Sequence, residues 1–242
     1  MFYVIAVEAM VLKCARRGVS AALASVAWLG LVGSASAAGP ASPQDDELRL
    51  YAVHIDWTPK QSWPGYGVYL GNGFVLTAAH VAGSFARNKP QVEVAGRQFP
   101  TTLIRQGSFD GVDLTLLSVD SSLLPLRTGM RRMPLCQKGP FPGEGVVVAI
   151  PEGTARSRVL SPAVLPPDVR GRFSSVIGDV ATTGNSGSGV FDARQQCLLG
   201  IISRKITVRR MRPGQPLRQF DIAKYFVPAA DIKAFLPADA SF

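Results

Sequence analysis

From Leu48 onward the chain is a succession of short runs rich in β-branched and aromatic residues, cut apart by glycine, proline and asparagine. Long amphipathic helices are missing. Strand-length runs joined by turns restrict such a chain to antiparallel sandwiches or barrels. Leu48–Trp57 alternates apolar and polar residues in part, and Tyr66–Leu70 and Phe74–Thr77 flank Gly71-Asn72-Gly73, a tight hairpin turn. Further β-rich runs follow at 91–94, 101–105 and 114–119. Residues 120–143 hold no strong strand but carry Pro125, Pro134, Pro140 and Pro142, so the boundary between two similar-sized β halves is expected there. The second half reads Gly145–Ile150, Val159–Val164, Ser174–Val180, Gly189–Phe191 and Cys197–Ser203. Only Pro228–Leu236 has a helical interval, with proline at its start.

The first 37 residues read as a removable export signal. Lys13, Arg16 and Arg17 precede an apolar run, Val19–Val32, that is too short and too Ala-rich for a membrane span. Small residues at Ser34-Ala-Ser-Ala37 suit cleavage after Ala37, and Met10 gives a more ordinary signal than Met1. The alternative is an uncleaved anchor. Residues 38–47, rich in Pro, Ser and Asp, are expected to form a flexible N-terminal arm. Cys14 leaves with the signal, so the exported chain keeps Cys136 and Cys197. In an oxidising compartment these form a disulfide or remain two buried thiols. Two histidines and two cysteines, all far apart, offer no metal-ligand spacing, so metal: none is expected. The formal net charge of +9 becomes +7 once the signal's three cations and Glu8 are removed. Such a surplus raises solubility and draws anionic partners without specifying a fold.

Candidate chemistry centres on Thr182-Thr-Gly-Asn-Ser186-Gly-Ser-Gly-Val-Phe191. A serine flanked by glycines sits in a backbone that bends sharply and approaches another molecule closely. A nucleophilic serine needs that exposure, with free N–H groups nearby to receive the oxygen of an attacked carbonyl. A plain Gly/Ser/Asn turn is the alternative. The hydroxyl also needs a base, and histidine suits that role at neutral pH. His54 lies within a strand-like run and reads as a strand residue. His80 follows an apolar run ending in small residues, Phe74-Val-Leu-Thr-Ala-Ala, which sets it at a strand end; otherwise it is a satisfied core histidine. Asp113 opens the apolar run Asp113–Leu117, where a carboxylate needs hydrogen bonds, either to orient an imidazole or to cap a turn.

Together these segments resemble the chymotrypsin-like serine peptidases. Thr77-Ala-Ala-His80 is similar to the family's histidine motif, Asp113-Leu-Thr-Leu-Leu117 to its aspartate motif and Gly184-Asn-Ser-Gly187 to its serine motif, in the family's order. The G-x-S-x-G pattern of α/β-hydrolases, with histidine last, does not fit. Spacings of 33 residues from His80 to Asp113 and 73 from there to Ser186 resemble the compact glutamyl-endopeptidase and HtrA branches, without a PDZ domain after the C-terminal helix. The resemblance implies an all-β fold of two antiparallel Greek-key barrels with the active site in the cleft between them. It sets the first barrel at 48–122, the inter-barrel linker at 123–143, the second barrel at 144–227, and a helix and tail at 228–242. It implies Ser186 as nucleophile, His80 as base and then acid, Asp113 as orienter, and the N–H groups of Gly184 and Ser186 as oxyanion hole. Ser203 matches the serine whose hydroxyl supports the catalytic aspartate, and a Cys136–Cys197 bridge would tie the linker to the second barrel. A periplasmic or secreted endopeptidase of this kind needs no cofactor; it takes a polypeptide substrate, not nucleic acid, and no stable membrane anchor.

Departures from the family pattern bear on activation and specificity. Many members hold an aspartate before the serine, which pairs with a new N-terminus after zymogen cleavage; here it is the neutral Asn185, so the oxyanion hole is expected to form without such cleavage. The pocket base falls near Val180 and Ala181, implying an apolar or shallow pocket. Ile202 stands where glutamyl endopeptidases carry histidine. Arg204 and Lys205 occupy the strand beside the pocket, with Arg209, Arg210, Arg212 and Arg218 following in an expected loop. These cations either face solvent or attract an acidic substrate or anionic surface. The second functional reading is a catalytically idle relative that binds an anionic partner through this basic segment.

Overall fold

The computed structural model describes residues 42–56, 65–178, 186–210 and 217–238, with Arg210 described by its backbone. The signal region therefore lies outside the described residues, as do Val180, Ala181, Gly184, Asn185 and Arg212.

Apolar runs with turns between them become thirteen antiparallel strands among the described residues. The first seven are β1 (Ala52–Asp56), β2 (Gly65–Gly71), β3 (Phe74–Thr77), β4 (Gln91–Val94), β5 (Arg97–Pro100), β6 (Thr102–Gln106) and β7 (Thr115–Ser118). They form one sheet in the order β5-β4-β1-β2-β3-β7-β6, a half-barrel open between β5 and β6. The other six are β8 (Gly145–Ile150), β9 (Gly153–Leu160), β10 (Val176–Ile177), β11 (Gly189–Asp192), β12 (Leu198–Arg210) and β13 (Arg218–Pro228). They close into a barrel, β10-β13-β12-β11-β8-β9. The architecture is the expected all-β, two-barrel fold, with the first barrel left open as a half-barrel and one short helix, Ala229–Phe235, at the C-terminal end.

Why so many strands read as continuous apolar runs is clear from their packing. Val146, Val148, Val190, Leu199 and Ile202 fill the second barrel, while Val147, Ala149, Phe191, Leu198 and Ile201 point the other way. That outer face meets Val68, Leu70, Leu76, Leu114 and Leu116 of the half-barrel, and Ile232 and Phe235 of the C-terminal helix join it. Both faces of these strands are thus buried, which removes the polar alternation of a half-solvated sheet. The cleft that holds the candidate site is framed by this shared core.

Several local expectations are corrected. The described part of the segment read as a flexible arm over 38–47 is a helix, Pro43–Leu48. Ser42 caps it: its hydroxyl accepts from the Asp45 N–H, the Asp45 carboxylate accepts from the Ser42 N–H at 2.7 Å, and Pro43 pre-sets the first turn. The helix is docked, with Leu48 buried in the shared core and Asp45, 1% exposed, bonded to Arg156 Nε at 2.7 Å. The run expected from Leu48 to Trp57 is extended over Ala52–Asp56, because a 3-10 turn at Arg49–Tyr51 precedes it. The run at 159–164 stops at Leu160, where Ser161 caps a 3-10 turn beginning at Pro162. The described ends of the basic segment are strand rather than loop: Arg209 and Arg210 end β12 and pair with Gln219 and Arg218 of β13. Ile206 and Val208 are buried, and that burial holds the ribbon despite its charge.

The linker is stitched to the second barrel. Leu135 forms a parallel bridge with Leu198, Leu198 N–H donates to the Pro134 carbonyl at 2.8 Å, and Cys136 and Cys197 form a disulfide. No helix among the described residues is long and apolar enough to cross a membrane.

Burial raises the pKa of Asp45, but its hydrogen bonds from Arg156 and Ser42, with the Arg156 charge, outweigh this and hold it below the usual carboxylate value. A folded-state pKa below the unfolded one means stability that is present above about pH 4 and lost as pH falls through the folded value. Asp45→Asn is therefore expected to lower the Tm at pH 7 by a few degrees, with the gap to wild type closing as pH falls below the usual carboxylate value and through the lowered folded one. Thermal melts of both proteins across that range check it; a constant gap would mean that the charge is irrelevant.

Candidate active site

His80 reaches the cleft because β3 ends in Thr77 and the two small residues Ala78 and Ala79, all three buried. The chain then turns into a short helix, Ala79–Ala82, whose first turn is held by Val81 and Ala82 N–H bonds to the Ala78 carbonyl. Asp113 comes from the loop before β7. Gly107 N–H to the Leu114 carbonyl and Ser108 N–H to the Val112 carbonyl fold that loop back, leaving Asp113 1% exposed.

Every oxygen of this carboxylate is used. Oδ1 accepts from the His80 backbone N–H at 3.0 Å, and Oδ2 lies 2.8 Å from His80 Nδ1 and accepts from the Ser203 hydroxyl at 2.6 Å. Burial pushes the Asp113 pKa up, but the bond and charge of the His80 ring, with the Ser203 hydroxyl and the His80 N–H, bring it below the usual carboxylate value. An ionised carboxylate only accepts, so Nδ1 must carry the imidazole proton and Nε2 keeps a lone pair. The Phe109 ring meets His80 edge-on, with centroids 5.3 Å apart.

Ser186 enters from the second barrel on the turn before β11. Its carbonyl accepts from Tyr66 N–H of β2 at 3.2 Å, and Gly187 N–H donates to the Ile202 carbonyl at 2.8 Å, so the turn is pinned to both halves. Ser188, fully buried, accepts from Ile202 N–H through its carbonyl. The Ser186 hydroxyl donates to the Ser203 carbonyl at 3.3 Å. Ser203 thus links the residues: its carbonyl meets Ser186 and its hydroxyl meets Asp113, which meets His80. A bulge makes this possible. Ile202 pairs with Phe226 and Arg204 with Tyr225, leaving Ser203 as the extra residue, and an extra residue re-aims both its side chain and its carbonyl.

Two of the expected substrate-binding residues have other partners. Arg204 is 8% exposed; its guanidinium lies 3.9 Å from the Phe109 ring centroid and donates to the Phe109 carbonyl and the Ser203 hydroxyl. Burial lowers its pKa, opposed by the Asp113 charge. Lys205 donates to Asp221 at 2.7 Å. Neither presents an uncommitted cation to an acidic substrate: Arg204 is buried on its partners, and the Lys205 charge is matched by Asp221. Phe109 was missed by sequence reasoning; an aromatic four residues before Asp113 is the one signal, and it gains meaning only once the loop is folded.

A histidine–aspartate pair from an open half-barrel, joined through Ser203 to a serine turn from a closed barrel, is the layout of a chymotrypsin-like serine endopeptidase. Comparison with known families agrees: residues 65–201 match the trypsin-like peptidase domain, and the chain belongs to that family. Its substrates are accordingly polypeptides. No match was found among curated protein sequences. Among solved structures, the active form of the Rv3671c protease from M. tuberculosis superposes with a TM-score of 0.57 at 17% identity, covering 83% of this chain and 86% of that one. Kallikrein-related peptidase 10 gives 0.56 at 19% identity, covering 77% and 93%. A serine endoprotease from Yersinia pestis gives 0.52 at 18%, covering 81% and 65%. At such identities these likenesses speak to the fold.

Proposed function

We propose that the protein is an exported endopeptidase that cleaves peptide bonds through an acyl-enzyme on Ser186. The observation that carries this reading is the buried, ionised Asp113 bonded to His80 Nδ1, which leaves the Nε2 lone pair for proton transfer. On substrate binding the Ser186 hydroxyl exchanges its bond to the Ser203 carbonyl for one to the imidazole, since catalytic hydrogen bonds that are long or misaligned in a free enzyme tighten in the substrate complex. His80 takes the hydroxyl proton as Oγ attacks the carbonyl carbon. The tetrahedral oxyanion is held by the N–H groups of Gly184 and Ser186. Its collapse breaks the C–N bond, and His80 returns the proton to the leaving amine. Water, deprotonated by His80, then releases the acid and restores Ser186. Asp113 keeps the imidazole in one tautomer throughout and stabilises its cation. Export through residues 1–37 agrees with the Cys136–Cys197 disulfide, which suits an oxidising compartment.

A fluorophosphonate probe tests the assignment, because it reports an activated serine without a known substrate. Wild-type protein is expected to be labelled at Ser186, Ser186→Ala to remain unlabelled, and His80→Ala to react at a small fraction of the wild-type rate. Wild-type protein that never reacts would belong to the idle, partner-binding class instead.

A further inference from the structure

Arg204 is a buried cation beside the carboxylate that orients the imidazole. Its Nε donates to Ser203 Oγ at 3.2 Å, Nη2 donates to the Phe109 carbonyl, and the same Nη2 lies 3.9 Å from Asp113 Oδ2. The guanidinium carbon sits 3.9 Å from the Phe109 centroid and 5.4 Å from that of Phe173. A guanidinium is costly to bury unless charge and hydrogen bonds compensate it, and here they come from the site itself.

We propose that Arg204 is a positioning residue for the Asp113–His80 pair: it fixes the direction of the Ser203 hydroxyl and shares the carboxylate's charge with the imidazole. This rests on the assignment of His80 as base. The Ser203 hydroxyl has one proton; with Arg204 N–H on a lone pair, that proton is directed to Asp113, and the chain Arg204–Ser203–Asp113–His80 polarises in one sense. The charge argument has a definite sign. Asp113 favours a cation on His80, whereas a second cation near the same oxygen opposes it. Arg204 therefore makes imidazolium harder to form and carries the acid limb of activity downward. Other charged or titratable groups around Arg204 and Asp113 are Asp110 in the loop before β7, Arg172 after the helix Pro167–Arg170, Tyr225 on β13, and Asp231, which acts on Tyr225. Asp110 and Arg172 are exposed and opposite in sign, so solvent screens them. Burial raises the Tyr225 pKa above its ordinary value, which leaves it neutral in the relevant range.

The chain has two histidines, His54 and His80, so the His80 ring is readily followed by NMR. The titration is read on Ser186→Ala protein, which turns nothing over, with His54→Gln for assignment. Adding Arg204→Gln is expected to raise the His80 midpoint by roughly half to one pH unit. Arg204→Lys keeps the charge without the planar fork; its midpoint is expected within about 0.3 units of the parent, while in the active protein the same change lowers kcat without moving the acid limb. An unchanged or lowered midpoint in folded Arg204→Gln overturns the proposal. If that variant does not fold, Arg204→Met replaces it: losing the charge while keeping an apolar stem is expected to raise the midpoint by a similar amount, and no rise overturns the proposal equally. Failure of fluorophosphonate labelling would remove the catalytic assignment and leave this titration standing, so the two outcomes are separable.

Discussion

Asp113→Asn is expected to lower kcat by about 10⁴-fold with little change in KM, the scale set by tautomer loss in serine peptidases of this design. An amide presents one acceptor and one donor where the carboxylate presents two acceptors. If its nitrogen faces His80 Nδ1 and Ser203, Nδ1 must become the acceptor, and the imidazole proton moves to Nε2, where it cannot take the Ser186 proton. If the amide is flipped, its nitrogen opposes the His80 backbone N–H that now donates to Oδ1. Either orientation loses, and both leave Arg204 without the anion 3.9 Å away. Peptide-ester hydrolysis, with circular dichroism to verify the fold, measures the loss. A fall of less than tenfold would show that His80 does not depend on Asp113 for its tautomer.

Gly187→Ala should cost the most in stability. Gly187 has φ of +88°, and a Cβ built there would lie 1.8 Å from the Tyr66 carbonyl oxygen and 2.8 Å from Thr77 Oγ1. Those atoms are bonded to each other at 2.6 Å, on β2 and β3 of the opposite half, so neither moves freely. The methyl therefore pushes the serine turn away from the half-barrel that carries His80. A loss of about 3 kcal/mol or more is expected, lowering Tm by roughly 10 °C. A displacement of Ser186 on the order of 1 Å would cost about a further 100-fold in labelling rate. Gly171→Ala is the matched control, since nothing lies within 4 Å of a Cβ there and its φ is −67°; it is expected to change stability by about 0.5 kcal/mol or less. Comparable melts for the two variants would contradict the close approach of the halves.

Local patterns carried the strands well. Gly71-Asn72-Gly73 turns the chain with positive φ at all three residues, and the apolar runs beside it become β2 and β3. The order of the His, Asp and Ser motifs was equally readable, because each places its residue at a strand end or tight turn. Long-range partners were not. Arg204 reads as a solvated charge until Phe109, 95 residues earlier, and Asp113 are folded against it. The helix at Pro43–Leu48 is too short for a periodic signal; its cap, Ser42 with Asp45, uses aspartate where glutamate or glutamine is the usual cue, and its docking depends on Arg156 in β9. The charges of Arg209 and Arg210 likewise hid a ribbon whose pairing strand begins eight residues later, at Arg218.

The bulged serine of β12 makes the chain's length at that point as critical as its chemistry. Deleting one residue between Ile202 and Arg204 would remove the surplus position and restore even pairing with β13. A substitution elsewhere would not restore that position, since one residue supplies both the carbonyl beneath the nucleophile and the hydroxyl that bonds Asp113. Indels in this strand should therefore be tolerated far less than exchanges of its side chains.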